Sequence, residues 1–253
     1  MRLLTQARNL RRRRAREDTG VFVAEGVRAV EELLRSPLAV RGVLVAPQLD
    51  GAQRGAALRA SLATHGVEVT EVSEREFASA ADTESPQGVL AIADIPARTF
   101  PVPEAGAALR IVVLDGVQDP GNVGAIVRTA AALGANATVA LPGTVDLWNA
   151  KVVRSAMGAQ FHHAAFSVTL DELVGWLRAH EVALWGADHR GDILARDEAP
   201  PARVALAMGN EGAGLTATTR TACARLVAIP ISVAVESLNV AVATGILLYA
   251  VRS

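Results

Sequence analysis

Residues 110–251 alternate short apolar runs with stretches of helical length, and that alternation leaves few folds open. Strands are expected at 110–114, 138–141, 161–166, 182–186, 204–208 and 226–229. Helices are expected at 122–133, 148–157 and 170–180, with a last one through the apolar run that ends at Val251. Runs such as Ile111-Val112-Val113-Leu114 and Val204-Ala205-Leu206-Ala207-Met208 are apolar at successive positions, as in strands buried on both faces. Strands of this kind separated by helices pair in parallel through crossover connections. The expected fold class is α/β, with a mostly parallel sheet covered on both sides.

The first hundred residues form a second pattern. A helix start at 3–9 leads into Arg11-Arg12-Arg13-Arg14-Ala15-Arg16, and Gly20–Gly26 reads as a short strand closing on a glycine turn. Val27, Val30, Leu33 and Leu34 then recur at helical spacing. Strands at 42–46, 67–72 and 87–93 alternate with helices at 52–65 and 74–81, which gives a small α/β domain over 1–95. Pro96, Pro101, Pro103 and Gly106 interrupt all periodicity, so 96–107 is expected to be a semi-rigid linker and 108–253 the second domain.

Charge is distributed unevenly between these parts. The net charge is −1, but residues 1–41 hold ten arginines against five acids, a local +5 that leaves −6 on the remainder. Such a basic end suits contact with phosphates. Taken alone, the arginine run could equally be a solvated helix end. A hydrophobic share of 51% fits a well-buried chain. The stretch nearest to membrane-spanning length, 237–251, contains Asn239 and follows a strand and loop, as a buried helix would. The start runs into arginines with no apolar secretory segment. Cys223 is the single cysteine, which excludes an internal disulfide and a cysteine zinc site. A soluble, cytoplasmic protein without membrane or metal partners is expected.

Three loops hold the polar groups that face the ends of the expected strands. The first, Asp119-Pro120-Gly121-Asn122-Val123-Gly124, could cradle a phosphate at a helix N-terminus, but it lacks both the Gly-x-Gly-x-x-Gly and the Walker patterns. The second is Gly209-Asn210-Glu211-Gly212-Ala213-Gly214-Leu215. The third runs from Ile229-Pro230 to Ser237-Leu238-Asn239-Val240, where Ser237 is placed to cap the last helix. In this order and spacing the three resemble the motifs of the SpoU (TrmH-like) branch of the SPOUT RNA methyltransferases, with Arg128 completing the first. Residues 1–95 resemble the substrate-binding domain that many of these enzymes carry, similar to a ribosomal-protein RNA-binding fold. That likeness rests on the basic start, Phe22-Val23-Ala24-Glu25-Gly26 and Ser85-Pro86-Gln87-Gly88-Val89.

The resemblance implies methyl transfer from S-adenosyl-L-methionine (AdoMet) to a ribose 2′-hydroxyl of structured RNA. Ribosomal RNA is preferred over transfer RNA because of the extra domain. It also implies a C-terminal trefoil knot and a homodimer with its site near the subunit interface. Gly209, Ile229 and Leu238 would hold the cofactor, mostly through main-chain atoms. Arg128, Asn122, Glu211, Ser237 and Asn239 would form the catalytic group, and Arg11, Arg12, Arg13, Arg14 and Arg154 would contact RNA. By their own chemistry several of these residues admit plainer roles. Asn122 and Ser237 could simply cap helices, and Arg128 could lie along the protein surface. If Arg128 acts, its very high pKa makes it a stabiliser of the developing alkoxide, with water or phosphate taking the proton. His162 and His163 are read as structural, and Cys223, with no base nearby in sequence, is not expected to be a nucleophile. The rival reading is a non-catalytic RNA-binding protein that keeps the fold.

Overall fold

The computed structural model describes residues 2–104, 106–194 and 199–252. The elements run α1 (Arg2–Asn9), α2 (Arg13–Thr19), β1 (Val21–Glu25), α3 (Val27–Leu34), β2 (Val40–Val45), α4 (Gln53–Leu62), β3 (Val69–Glu71), α5 (Glu74–Ala80) and β4 (Val89–Asp94). They continue with β5 (Leu109–Asp115), α6 (Pro120–Ala132), β6 (Ala137–Ala140), α7 (Ala150–Ser155), β7 (Ala164–Ser167), α8 (Leu170–Ala179), β8 (Ala183–Ile193), β9 (Arg203–Gly209), α9 (Ala217–Ala222), β10 (Arg225–Ala228) and α10 (Val240–Ala250).

Two compact units result. The described residues of Met1–Ala97 join Trp148–His162 in one, and those of Arg98–Leu147 and His163–Ser253 form the other. In the first, β1-β4-β2-β3 make a sheet in which β4 is antiparallel to both neighbours and β2 pairs β3 in parallel. The expected helix at 148–157 is shorter, Ala150–Ser155, and packs on β1 of this unit. Aromatic packing accounts for that. Fully buried Phe22 lies 4.5 Å from the Trp148 ring and 5.8 Å from Phe161. The Gln87-Gly88 turn also has a local cause. Gly26 offers no side chain to cap α3, and Gln87 Oε1 accepts from Val27 N instead, at 2.8 Å.

The second unit contains one sheet, β10-β8-β9-β5-β6-β7, with every adjacent pair parallel. All seven residues of β5 are buried at its centre. The chain leaves β5 toward β6 and β7, then returns through β8 and β9 on the other side. The carboxyl ends of β5 and β9, paired as Asp115 and Gly209, therefore flank the point where strand order reverses. Open parallel sheets bind ligands at such a crevice. Part of the stretch expected as a linker packs on this unit, through Arg98 and Phe100. Phe100 stacks on Trp176 at 4.8 Å and meets Phe166 edge-on at 5.0 Å, and Arg98 donates to the Ser167 carbonyl.

Two strands differ from expectation. β7 starts only at Ala164, because Ala159–Phe161 form a turn of 3₁₀ helix; His162 thus lies in a turn. β8 continues seven residues past Gly186, through Ala187-Asp188-His189-Arg190-Gly191-Asp192-Ile193. That extension is largely polar, so no apolar pattern announces it. It pairs with β10, after a shift of register between Leu226 and Val227.

Candidate functional site

The loop after β5 is shaped by its own residues. Asp119 caps α6, its Oδ1 accepting from Asn122 N at 2.8 Å, and Pro120 takes the first helical turn, where no N–H is needed. Asn122 therefore does not cap the helix. Its side chain is left to reach outward.

The loop after β9 closes as a hairpin. Asn210 and Gly214 exchange two backbone bonds of 2.9 Å, and Asn210 Oδ1 accepts from Gly212 N and Ala213 N at 3.0 Å each. A Cβ on Gly209 would run into the carbonyl carbon of Gly214, and Gly214 itself has φ +71, a value glycine adopts without strain. Asn210 Nδ2 donates to the Gly116 carbonyl at 2.9 Å, which fastens this hairpin to the loop after β5.

The third loop ends at Asn239, and here the sequence reading is corrected. Ser237 caps nothing. Asn239 is the N-cap of α10, its Oδ1 accepting from Ala241 N at 2.9 Å and Val242 N at 3.3 Å. The helix begins two residues later than Ser237 requires. With its oxygen so used, Asn239 turns its Nδ2 toward Asn122 Oδ1, 2.9 Å away. Asn122 Nδ2 in turn donates to Glu211 Oε1 at 3.0 Å. Each donor–acceptor pair fixes the orientation of the next amide, so one directed chain, Asn239 to Asn122 to Glu211, joins all three loops.

Glu211 is an acceptor throughout. Gln118 N and Asp119 N also donate to it, at 3.3 and 3.2 Å. Burial would raise its pKa, but the bonds from Asn122 and the backbone bring it below the ordinary glutamate value. Held ionised, it orders the loops and is not a proton donor. Asp115 is likewise structural: it is buried and accepts from the Thr216 backbone at 2.7 Å.

Beside this chain of bonds lies a cleft of about 470 Å³, a size that accommodates a nucleoside-based ligand. Gly209, Ile229 and Leu238 all line it, as does Ser237 on the rim. Among the described residues, Glu236, Ser237 and Leu238 make no hydrogen bond to the rest of the chain. Their polar groups, main chain included, are thus open to a ligand. Sequence reading missed Asp188 and Arg220, which also line the cleft.

Arg128 stands apart. It is exposed on α6, six residues beyond Asn122, and does not line the cleft. Helical geometry turns it about 120° away from Asn122 and about 9 Å along the axis. Arg154 is committed elsewhere, donating to Asp82 at 2.9 Å and lying 3.8 Å from buried Glu25. The basic run is split. Arg13 and Arg14 pair with Glu17 and Asp18, Arg16 is buried against the Leu10 carbonyl, and Arg11 and Arg12 are exposed. Arg12 joins Arg2, Gln6 and Asn9 along an open groove between α1 and α2.

The other titratable groups are not arranged for chemistry. His163 is buried beside the Thr138 hydroxyl, and burial lowers its pKa to about 4. Burial raises the Cys223 thiol to about 11, so it stays protonated. Among the described residues, no three His, Cys, Asp or Glu side chains converge as a metal site, and no helix is long and apolar enough to cross a membrane.

Residues 109–249 match the SpoU rRNA Methylase family, which spans more than half the chain. The chain belongs to that family. Residues 3–91 match a second family, the MRM3-like substrate binding domain. Relatives of this SpoU family member include the Bacillus subtilis 23S rRNA (guanosine(2553)-2′-O)-methyltransferase RlmP. It is 34% identical, and the match covers 97% of this chain and 94% of the relative. A Streptomyces viridochromogenes 23S rRNA (uridine(2479)-2′-O)-methyltransferase is 31% identical, over 95% and 85% of the two chains. Among solved structures, the AdoMet complex of the SpoU methyltransferase AviRb from that Streptomyces superposes with TM-score 0.88. Its identity is 29%, covering 98% of this chain and 96% of the other. An AdoMet-bound rRNA methyltransferase from Sinorhizobium meliloti gives TM-score 0.83 at 30% identity, covering 99% and 94%.

Proposed function

We propose that the protein is an AdoMet-dependent RNA methyltransferase that modifies a ribose 2′-hydroxyl of ribosomal RNA. The observation that carries this reading is the meeting of all three SpoU loops beside one nucleoside-sized cleft, joined by Asn239, Asn122 and Glu211. Relatives that match nearly the whole chain are named for 23S rRNA, which favours ribosomal over transfer RNA, and a cytoplasmic site of action is proposed with it. In this reading Gly209, Ile229 and Leu238 would hold the cofactor, whose sulfonium would supply an activated methyl group, the new O–C bond being balanced by release of the sulfur as a neutral thioether.

The chain's own residues then have three tasks. The hairpin and the 236–238 rim fix the ligand through main-chain atoms. The Asn239–Asn122–Glu211 chain holds the three loops in register, so that attacking oxygen and methyl carbon stay aligned. Arg128 offers positive charge to the oxygen as its proton departs to water or phosphate.

Arg128 lies outside the cleft of its own subunit, and a homodimer would remedy that. Val242, Ile246 and Tyr249 are exposed at 53, 42 and 69% along one stripe of α10. An apolar stripe of this kind is suited to a second copy. α10 packs along α6, where Gly245 allows close approach to Thr129. Pairing through this face brings Arg128 to act where the subunits meet. The C-terminal knot is part of the same proposal. β10 is an edge strand, yet the chain that follows returns to pack on α6 and β9, and the Val251 carbonyl accepts from Arg110 on central β5. Arg11 and Arg12, with the groove between α1 and α2, are proposed to contact RNA.

The test uses 23S rRNA, transfer RNA and methyl-labelled AdoMet. Label is expected in ribosomal RNA, at a linkage made resistant to alkaline hydrolysis by the blocked 2′-oxygen. Label confined to transfer RNA, or located on a base, would overturn the assignment.

A further inference from the structure

One charged pair in the cleft has no part in the mechanism above. Asp188, on the polar extension of β8, has only 4% of its side chain exposed. It accepts from Arg190 N at 2.8 Å and from the Arg220 guanidinium on α9. Burial would raise its pKa, but those two bonds hold it below the usual aspartate value. Arg220 is 42% exposed and bonds to Asp188 through Nη2. A guanidinium has five N–H donors in a planar fork, and no other hydrogen-bond partner of the Arg220 side chain occurs among the described residues. Apart from Asp188, then, only the backbone of Arg220 is engaged, with Thr216 and Cys223, and Arg220 is the one arginine or lysine among the described residues that line the cleft, where Asp188, Glu211 and Glu236 are the acids.

This distribution matches a ligand of mixed charge. AdoMet carries a sulfonium, an ammonium and a carboxylate beyond its adenosine. Asp188 and Glu211 are engaged by Arg220 and by the loop network, which leaves Glu236 to face the cationic groups, and a neutral main-chain rim suits the nucleoside. The carboxylate requires a cation, preferably one whose planar fork accepts two oxygens. We propose that Arg220 binds the carboxylate of the cofactor's methionine moiety, and that Asp188 is the positioning residue that aims it. This rests on the cleft being the cofactor site.

The experiment compares AdoMet with decarboxylated AdoMet, which keeps the sulfonium and the ammonium, by calorimetric titration of the full-length protein. The wild type is expected to prefer AdoMet by about 10- to 100-fold, the scale of a charge-assisted bond. In Arg220→Gln the AdoMet affinity should fall to that of the decarboxylated ligand, whose own affinity stays unchanged. Arg220→Lys should recover part of the preference, and Asp188→Asn should reduce it. The proposal is overturned if Arg220→Gln keeps the wild-type preference, or if it weakens both ligands equally, which would mean that Arg220 only shapes the cleft. A loss confined to RNA affinity would also overturn it and assign Arg220 to an RNA phosphate. Leu238→Arg separates the two levels. It should abolish binding of both ligands, and if it does not, the cleft assignment falls independently of Arg220.

Discussion

Asn239 performs two tasks with opposite ends of one amide, and substitution can separate them. Its oxygen caps α10 and its nitrogen holds Asn122. Asn239→Ala removes both. Loss of the cap costs about 1 kcal/mol, and loss of the exposed amide bond adds about 0.5–1 kcal/mol. A total of about 2 kcal/mol corresponds to a fall in Tm of about 4–8 °C for a chain of this size. Asn239→Asp keeps an acceptor at the helix N-terminus, where negative charge is favourable. It presents oxygen to Asn122 Oδ1, however, and Asn122 cannot turn without setting its own oxygen against ionised Glu211. The aspartate variant should therefore melt within about 2 °C of the wild type while binding AdoMet and transferring methyl poorly. Melting curves combined with AdoMet titration and single-turnover methylation read both effects. If Asn239→Asp melts as low as Asn239→Ala, or turns over like the wild type, the proposed division between cap and network is wrong.

Three further outcomes are expected. Because Glu211 has a lowered pKa in the folded protein, its contribution is present above the ordinary value of 4.5 and is lost as pH falls through the lower folded value. Tm measured from pH 7 down to 3 should therefore fall less steeply for Glu211→Gln than for the wild type. Arg128→Ala should keep the fold and AdoMet affinity but lose methyl transfer by about a hundredfold or more; near wild-type turnover at saturating RNA and AdoMet would remove Arg128 from the mechanism. Replacing Arg11 and Arg12 with Gln should weaken RNA binding and lower the salt dependence by about 0.7–0.9 per lost phosphate contact. Arg154→Gln should leave that slope unchanged and instead destabilise the first unit, since it strips a partner from buried Glu25.

The sequence by itself determined the parallel sheet of the second unit. Apolar runs such as 111–114 and 204–208 have no polar face to expose, and burial on both sides is the only arrangement that satisfies them. It also determined the three loops, since Gly209 and Gly214 meet backbone demands that other residues meet only with strain. Tertiary structure decided how the polar side chains are used. Asn122, Ser237 and Asn239 each satisfy the local rule for a helix cap. Which one caps depends on where α6 and α10 begin, and the choice of Asp119 and Asn239 leaves Asn122 to bridge the loops. The same holds for charge. Arg12 and Arg154 were both expected to contact RNA, but Arg154 is drawn to Asp82 and Glu25, residues distant in the chain, while Arg12 remains exposed. Asp188 and Arg220 were invisible because the extension of β8 is polar, and because 32 positions of chain separate the pair. Local periodicity reports which face of an element is buried. The partner of a charged side chain is set by long-range packing, which no local pattern encodes.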